Sequence, residues 1–261
     1  MKQILTIAGS DSGGGAGIQA DIKAISANGG YAMSAITSVT AQNTVAVTDA
    51  FDLPIQLIDA QLDAVFSDFD VSSVKTGMLS SSAIVETVAQ KLRQYSPQTI
   101  VVDPVMISKS KFPLLKAEAI NSLRLSLIPL ATVITPNIYE AELLAEQEIQ
   151  TTDDAKSAAK TIAKLGCKAV LVKGGHLDDE KAIDVLYADS GWSYFEAERI
   201  ETENTHGTGC TYSAAIATHL ALGKDLIEAI QASKTYITNA IEHALEIGKG
   251  QGPTNHFYFL T

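Results

Sequence analysis

A chain of 261 residues that is 46% hydrophobic and 19% charged is long enough to bury a large core and too apolar to be disordered. Its net charge of −11, from 19 basic and 30 acidic residues, offers no basic footprint for nucleic acid or an anionic membrane, so a phosphate-bearing ligand must be held by local groups. No apolar run approaches the roughly 18 residues that cross a bilayer. The N-terminal ILTIA is too short for a signal-peptide core, and two lone cysteines, Cys167 and Cys210, suggest a reducing cytoplasm.

Residues 3–8 are β-compatible, and the glycine-rich GSDSGGGAG that follows leads into a helical stretch from 18 to about 28. Gly13, Gly15 and Gly17 lack the G-x-G-x-x-G spacing of a dinucleotide fold, so this loop is expected to fold over a small ligand, with residues 10–17 as a mobile flap. Alternation over 34–41 ends at Gln42-Asn43. These amides either read a heteroaromatic ring through one donor and one acceptor, or make a polar turn. Residues 55–66 predict an amphipathic helix, 71–76 a strand, and 80–95 a helix capped by its serines.

β-branched runs at 99–102, 132–135 and 169–172 end in Asp103-Pro104, Pro136-Asn137 and Lys173-Gly174-Gly175. Open α/β sheets place their ligands at such strand ends. Residues 151–166 form the clearest helix, with Thr152 or Asp153 as cap, a stripe of Ala155, Ala158, Ala159, Ile162 and Ala163, and Gly166 as the stop. The alternation predicts an α/β fold in one domain over residues 1–261, a mostly parallel central sheet with helices on both faces. A hairpin is expected at 182–187 and 192–196, turning at Asp189-Ser190-Gly191. Helices near 209–222 and 226–247 follow, and GKGQGPTNHF reads as a loose tail.

The stretch NTHGTGCTYSAAIATHLALG, residues 204–223, joins a glycine-spaced turn to an apolar helix. Gly207 and Gly209 allow close backbone approach, Thr208 or Thr205 is expected to cap the helix, and the unpaired first N–H groups form an anion hole fit for phosphate. Cys210 falls in the first turn, where the helix field favours a thiolate. In TPNIYEAE, Asn137 and Glu140 share a helical face; they suit a magnesium ion that keeps most of its waters, or else merely form an acidic helix start. Asp103 supplies a second carboxylate, and Lys173 a charge to neutralise a transferring phosphoryl group. The five histidines fit no zinc spacing, and His176 and His206, beside the phosphate loops, either contact ligand or, as the simpler expectation, are satisfied loop residues. There is no P-loop, so the nucleotide must be held differently.

Taken together, LTIAGSDSGGGAGIQADIKA, TSVTAQNT, VKTGML, VVDPVM, TPNIYEAE, LVKGGH, NTHGTGCTYSAA and GQGPTNHF cover nearly the whole chain. In this order they resemble the ribokinase-like superfamily and, within it, the bacterial hydroxymethylpyrimidine/phosphomethylpyrimidine kinases of thiamine biosynthesis. The resemblance implies a cytoplasmic homodimer that uses ATP and Mg²⁺ to phosphorylate 4-amino-5-hydroxymethyl-2-methylpyrimidine, and then its monophosphate to the diphosphate. It places Gln42, Gly9, Asp21, Met78 and Val105 in the pyrimidine pocket, and Gly207 to Cys210 in the anion hole. Asn137 and Glu140 match the superfamily's N-x-x-E magnesium motif and Lys173 a phosphate-contacting position, so Thr208, Lys173, Asn137 and Glu140 are expected at the phosphates of ATP and Glu140, with Asp103 from its own strand end, at the metal. Cys210 stands where related sugar kinases carry an aspartate base. The alternatives are a pyridoxal or pyridoxine kinase, whose substrate ring has no exocyclic amine for Gln42 to read, and a non-catalytic sensor of a pyrimidine or phosphate.

Overall fold

The computed structural model describes residues 1–107, 114–116, 118–175 and 181–260. Nine strands form one sheet: β1 (Gln3–Asp11), β2 (Tyr31–Gln42), β3 (Val47–Asp52), β4 (Val71–Thr76), β5 (Ile100–Val102), β6 (Val133–Ile134), β7 (Ala169–Val172), β8 (Lys181–Ala188) and β9 (Gly191–Glu198). Their spatial order is β3-β2-β1-β4-β5-β6-β7-β8-β9. Pairing is parallel from β2 to β7, while β3, β8 and β9 join antiparallel.

The helices are α1 (Gly17–Ala27), α2 (Ile55–Asp68), α3 (Ser82–Tyr95), α4 (Ala119–Ser122), α5 (Ile138–Ala145), α6 (Thr152–Ala163), α7 (Thr208–Ala221) and α8 (Leu226–Glu242). They divide between two cores because neighbouring strand residues face opposite sides. Leu5, Ile7, Val102, Ile134, Val170 and Val172 pack with α2 to α6. Ile4, Val101, Val133, Ala169 and Leu171 pack with α1, α7 and α8. Helix α7 is buried continuously from Thr211 to Thr218, and its small residues let it lie close against the sheet: Ser73 Oγ donates to Ala217 O at 2.8 Å.

From β1 the chain runs outward through β2 and β3 and returns to β4 on the other side of β1, which opens a crevice at the carboxyl ends of the central strands. The β8–β9 hairpin turns at Asp189 and Ser190, with Ala188 opposite Gly191. Some local expectations are corrected. Thr151 caps α6 through a reciprocal box with Asp154, one or two residues before the expected cap. Ser81 stands at the start of α3 without a side-chain cap, and Ser80 Oγ donates instead to Asp52 Oδ1 at 2.5 Å. Helix α8 stops at Glu242, five residues early. The tail is docked rather than loose: Gly250 N–H and Lys249 N–H donate to Thr44 Oγ1, Pro253 bridges His206, and Thr254 and His256 are buried. Among the described residues no helix is long and apolar enough to cross a membrane.

Candidate active site

The strand ends deliver their polar residues to one place. A register shift at Gly9 between β1 and β2 brings its backbone against Met78, where a Cβ on Gly9 would lie 3.0 Å from the Met78 sulfur. Gly9, Met78, Val105, Gln42, His206 and Cys210 line a cavity of about 150 Å³. A second cavity of about 400 Å³ opens beside it, lined by Arg199, Ile200, Ile237 and Ile241 with the buried pair Asp184 and Lys234. Asn137, Lys173, Thr205, Thr208 and Gly209 belong to both.

Helix α7 starts at this shared wall. Gly207 is its N-cap at φ 79°, and a Cβ there would meet Gly15 O at 1.8 Å, so only glycine fits. Thr208 is the first helical residue and not the cap, contrary to one of the two expectations. Thr208 Oγ1 donates to Thr205 O at 2.7 Å, outside the helix, which leaves the N–H groups of Gly209 and Cys210 for a ligand at the positive end of the helix. A Cβ on Gly209 would lie 3.4 Å from Lys173 Nζ and 3.8 Å from Asp103 Oδ2, so this glycine keeps clear the space between the helix and the two charges.

Asp103 Oδ1 accepts from Lys173 Nζ at 3.0 Å, and Oδ2 from Ser213 Oγ at 3.2 Å. Burial opposes its charge, but Lys173 and Lys75 outweigh burial and hold the carboxyl below the usual range. Burial likewise opposes the charge on Lys173, yet Asp103 and Glu140 raise its pKa, so it stays an ammonium. Burial pushes Glu140 up to about 7 against the pull of Lys173. Asn137 and Glu140 form a reciprocal capping box: Glu140 Oε2 accepts from Asn137 N–H at 2.8 Å, and Asn137 Oδ1 from Glu140 N–H at 2.9 Å. The acidic helix start is therefore real, and it sits at the shared wall.

Cys210 departs from expectation. Burial pushes its thiol up to about 12, Lys75 pulls it down, and Asp21 and Asp103 add to the rise, so at neutral pH the group is a thiol and a poor base. Cys210→Ser is therefore expected to keep the shape of the kcat profile between about pH 6 and 9, with kcat within about tenfold of wild type. A rate that rises tenfold per pH unit and loses that slope with serine would establish a thiolate base.

Asp21 is not in the cavity wall. It lies fully buried beneath, with both carboxylate oxygens 2.9 Å from Lys75 Nζ and Oδ2 accepting from Thr6 Oγ1 at 2.5 Å. Asn43 turns away too; its Oδ1 accepts from Val45 N–H and Ala46 N–H, so of the two amides only Gln42 faces the cavity. The expected flap is tied down by Asp11, whose carboxylate accepts from the N–H groups of Gly13, Gly15 and Ala16. His176 lies outside the described residues. Asp11, Lys75, Asp184 and Lys234 were not singled out from the sequence. Asp11 had a signal, an aspartate two residues before a glycine run, which commonly folds back on its own backbone; the others are charges inside apolar segments, whose partners are distant in sequence.

Residues 11–255 match the phosphomethylpyrimidine kinase family. The hydroxymethylpyrimidine/phosphomethylpyrimidine kinase of Haemophilus influenzae is 48% identical, over 99% of this chain and 98% of that protein. A thiamine biosynthesis bifunctional protein of Geobacter sulfurreducens is 47% identical, over 97% of this chain and 52% of its own length. The solved ADP complex of Bacillus subtilis pyridoxal kinase superposes with a TM-score of 0.93 at 42% identity, covering 100% of this chain and 99% of that one. With likeness running from end to end in both sequence and backbone, the chain belongs to the phosphomethylpyrimidine kinase family of phosphotransferases, on a ribokinase-like fold.

Proposed function

We propose that the chain transfers the terminal phosphoryl group of ATP to 4-amino-5-hydroxymethyl-2-methylpyrimidine and then to its monophosphate, in thiamine biosynthesis. The observation that carries this reading is the wall of Asn137, Lys173, Thr205, Thr208 and Gly209 common to two cavities, which lets two ligands meet. The smaller cavity takes the pyrimidine between Met78 and Val105, with the Gln42 amide at its edge. The larger takes the nucleotide. The free N–H groups of Gly209 and Cys210, with the Lys173 ammonium, stabilise the charge that spreads over the phosphoryl oxygens as it moves. A loose transition state depends on positioning and charge more than on a strong base, which agrees with a neutral Cys210.

Asp103 and Glu140 both line the smaller cavity beside Lys173, and although their oxygens already accept hydrogen bonds, their carboxylates suit a Mg²⁺ that keeps most of its waters and is held largely through them. When bound, that ion supplies charge neutralisation. On this reading the enzyme is a cytoplasmic homodimer, in keeping with the resemblance of its motifs.

The test is steady-state ADP release with MgATP and, in parallel, the hydroxymethylpyrimidine, its monophosphate and pyridoxal. Both pyrimidines are expected to turn over with kcat/KM at least about tenfold above pyridoxal. The likeness to a pyridoxal kinase makes the third arm decisive, because a higher kcat/KM on pyridoxal would overturn the assignment.

A further inference from the structure

His206 has a place in the site that the steps above do not use. Its imidazole is 13% exposed, and Nε2 lies 2.9 Å from Oδ2 of Asp11, itself 3% exposed. Gly15 leaves room for the ring, since a Cβ there would lie 2.3 Å from His206 Cδ2. The docked tail fixes the backbone: His206 N–H donates to Gly252 O at 3.1 Å, and Thr254 N–H to His206 O at 3.4 Å. As placed, Gln42 Nε2 lies 3.3 Å from the same imidazole Nε2 and Gln42 Oε1 lies 3.1 Å from Thr40 Oγ1, and the amide can be turned end for end within the same contacts.

These contacts settle the orientation of the amide. Asp11 already accepts three backbone N–H bonds and its carboxyl is held below the usual range: burial opposes the charge, and the His206 bond leads the groups that outweigh it. A bare Nε2 lone pair facing that carboxylate would be repelled, so Nε2 carries a proton and donates to Asp11. It then has no lone pair for an amide N–H, and the end of Gln42 toward it is the carbonyl oxygen. The NH₂ end faces Thr40, whose hydroxyl proton goes to Ser10 O at 2.9 Å and whose oxygen accepts from the amide. An amide has two donors and two acceptor lone pairs; this arrangement uses one N–H on Thr40 and turns one carbonyl lone pair to the Nε2 proton, which Asp11 takes at the shorter distance and the amide only shares. One N–H and one carbonyl lone pair remain, in a fixed order, for the ring nitrogen and exocyclic amine of an aminopyrimidine.

We propose that the Asp11–His206 pair is a specificity-determining positioning unit, which fixes the direction of the Gln42 amide so that the site selects a ring carrying an exocyclic amine beside a ring nitrogen. The inference rests on the pyrimidine-kinase reading above. The experiment compares kcat/KM for the 4-aminopyrimidine alcohol with that for the same alcohol bearing hydrogen at position 4. In wild type the ratio is expected to be about 100-fold or more, because the analogue leaves buried polar groups unpaired. In His206→Ala the ratio is expected to fall at least about tenfold while KM for MgATP stays within about twofold, since the freed amide rotates and serves both rings alike. His206→Gln, which keeps an N–H donor toward Asp11, is expected to restore most of the ratio. A thermal melt confirms that each variant is folded. Unchanged discrimination in His206→Ala, with both pyrimidines weakened equally, overturns the proposal, as does a wild-type ratio near one. Absence of turnover of the aminopyrimidine by wild type is a separate result that overturns the functional reading itself.

Discussion

Replacing Lys173 by methionine is expected to lower kcat by about a thousandfold, roughly 4 kcal/mol of barrier, with KM for both substrates changed by less than about fivefold. The lysine stands in the wall common to the two cavities, and its ammonium reaches toward the open space over Gly209. A positive charge so placed gains most when negative charge spreads over a phosphoryl group in transfer, so the loss falls on kcat more than on KM. Arginine is not expected to rescue, because a planar fork cannot keep the 3.0 Å contact with Asp103 Oδ1 in the same volume. Asp103 keeps the Ser213 and Thr135 hydroxyls as donors, so the variant retains its fold, which circular dichroism checks. A kcat within threefold of wild type would remove Lys173 from the chemistry.

The second large effect is on stability. Lys75 and Asp21 are both completely buried, and the ammonium meets both carboxylate oxygens. Burial works against the charge on Lys75, but Asp21 facing it raises its pKa, so the lysine stays charged. Lys75→Met leaves the Asp21 carboxyl without its partner, and removing one member of a buried pair costs about 3–5 kcal/mol. For a domain of this size, that corresponds to a fall in Tm of about 10 °C. Replacing both partners, as Lys75→Met with Asp21→Leu, is expected to recover most of the loss, because no bare charge is left inside.

The deficit also depends on pH. Burial already raises the Asp21 carboxyl above its ordinary range while Lys75 pulls it down, so without Lys75 its folded pKa rises further. A carboxyl whose folded pKa is raised favours the folded state below its unfolded pKa and loses that contribution as pH rises through the folded value. The Lys75→Met deficit is therefore expected to be smaller at pH 5 than at pH 8, as read by urea unfolding at the two values. A single variant that melts within a degree of wild type would show that the pair contributes nothing.

What was legible in the residue order was local. Short apolar strands, each closed by a polar or glycine cluster, and helices with a 3.6-residue stripe identify a parallel α/β sheet, because side-chain direction alternates along a strand and turns with a helix whatever lies elsewhere. Gly207 was legible as a glycine that the helix start requires, but the sequence assigned it to close approach of a ligand, whereas what a Cβ there would meet is Gly15 O. The acidic start of α5 is equally local, with Asn137 and Glu140 three residues apart; that the two close into a reciprocal capping box appears only in the structure. The order of the motifs along the chain also carried the family.

Only the tertiary structure decided which charges meet and how water treats them. Asp21 has the spacing of a helix-face residue, and nothing near it in sequence reveals Lys75, 54 residues away. Asp11 and His206 are 195 residues apart, yet they share one hydrogen bond and tie the first loop to the last. For Cys210, the helix start favoured a thiolate, but enclosure by several segments, with two carboxylates near, prevails and keeps a thiol. Local backbone preference acts over a few residues, whereas desolvation and Coulomb forces act through whatever the fold brings within several ångströms. The sequence by itself thus determined the scaffold and the list of groups at its strand ends; their charge states were decided by packing between distant segments.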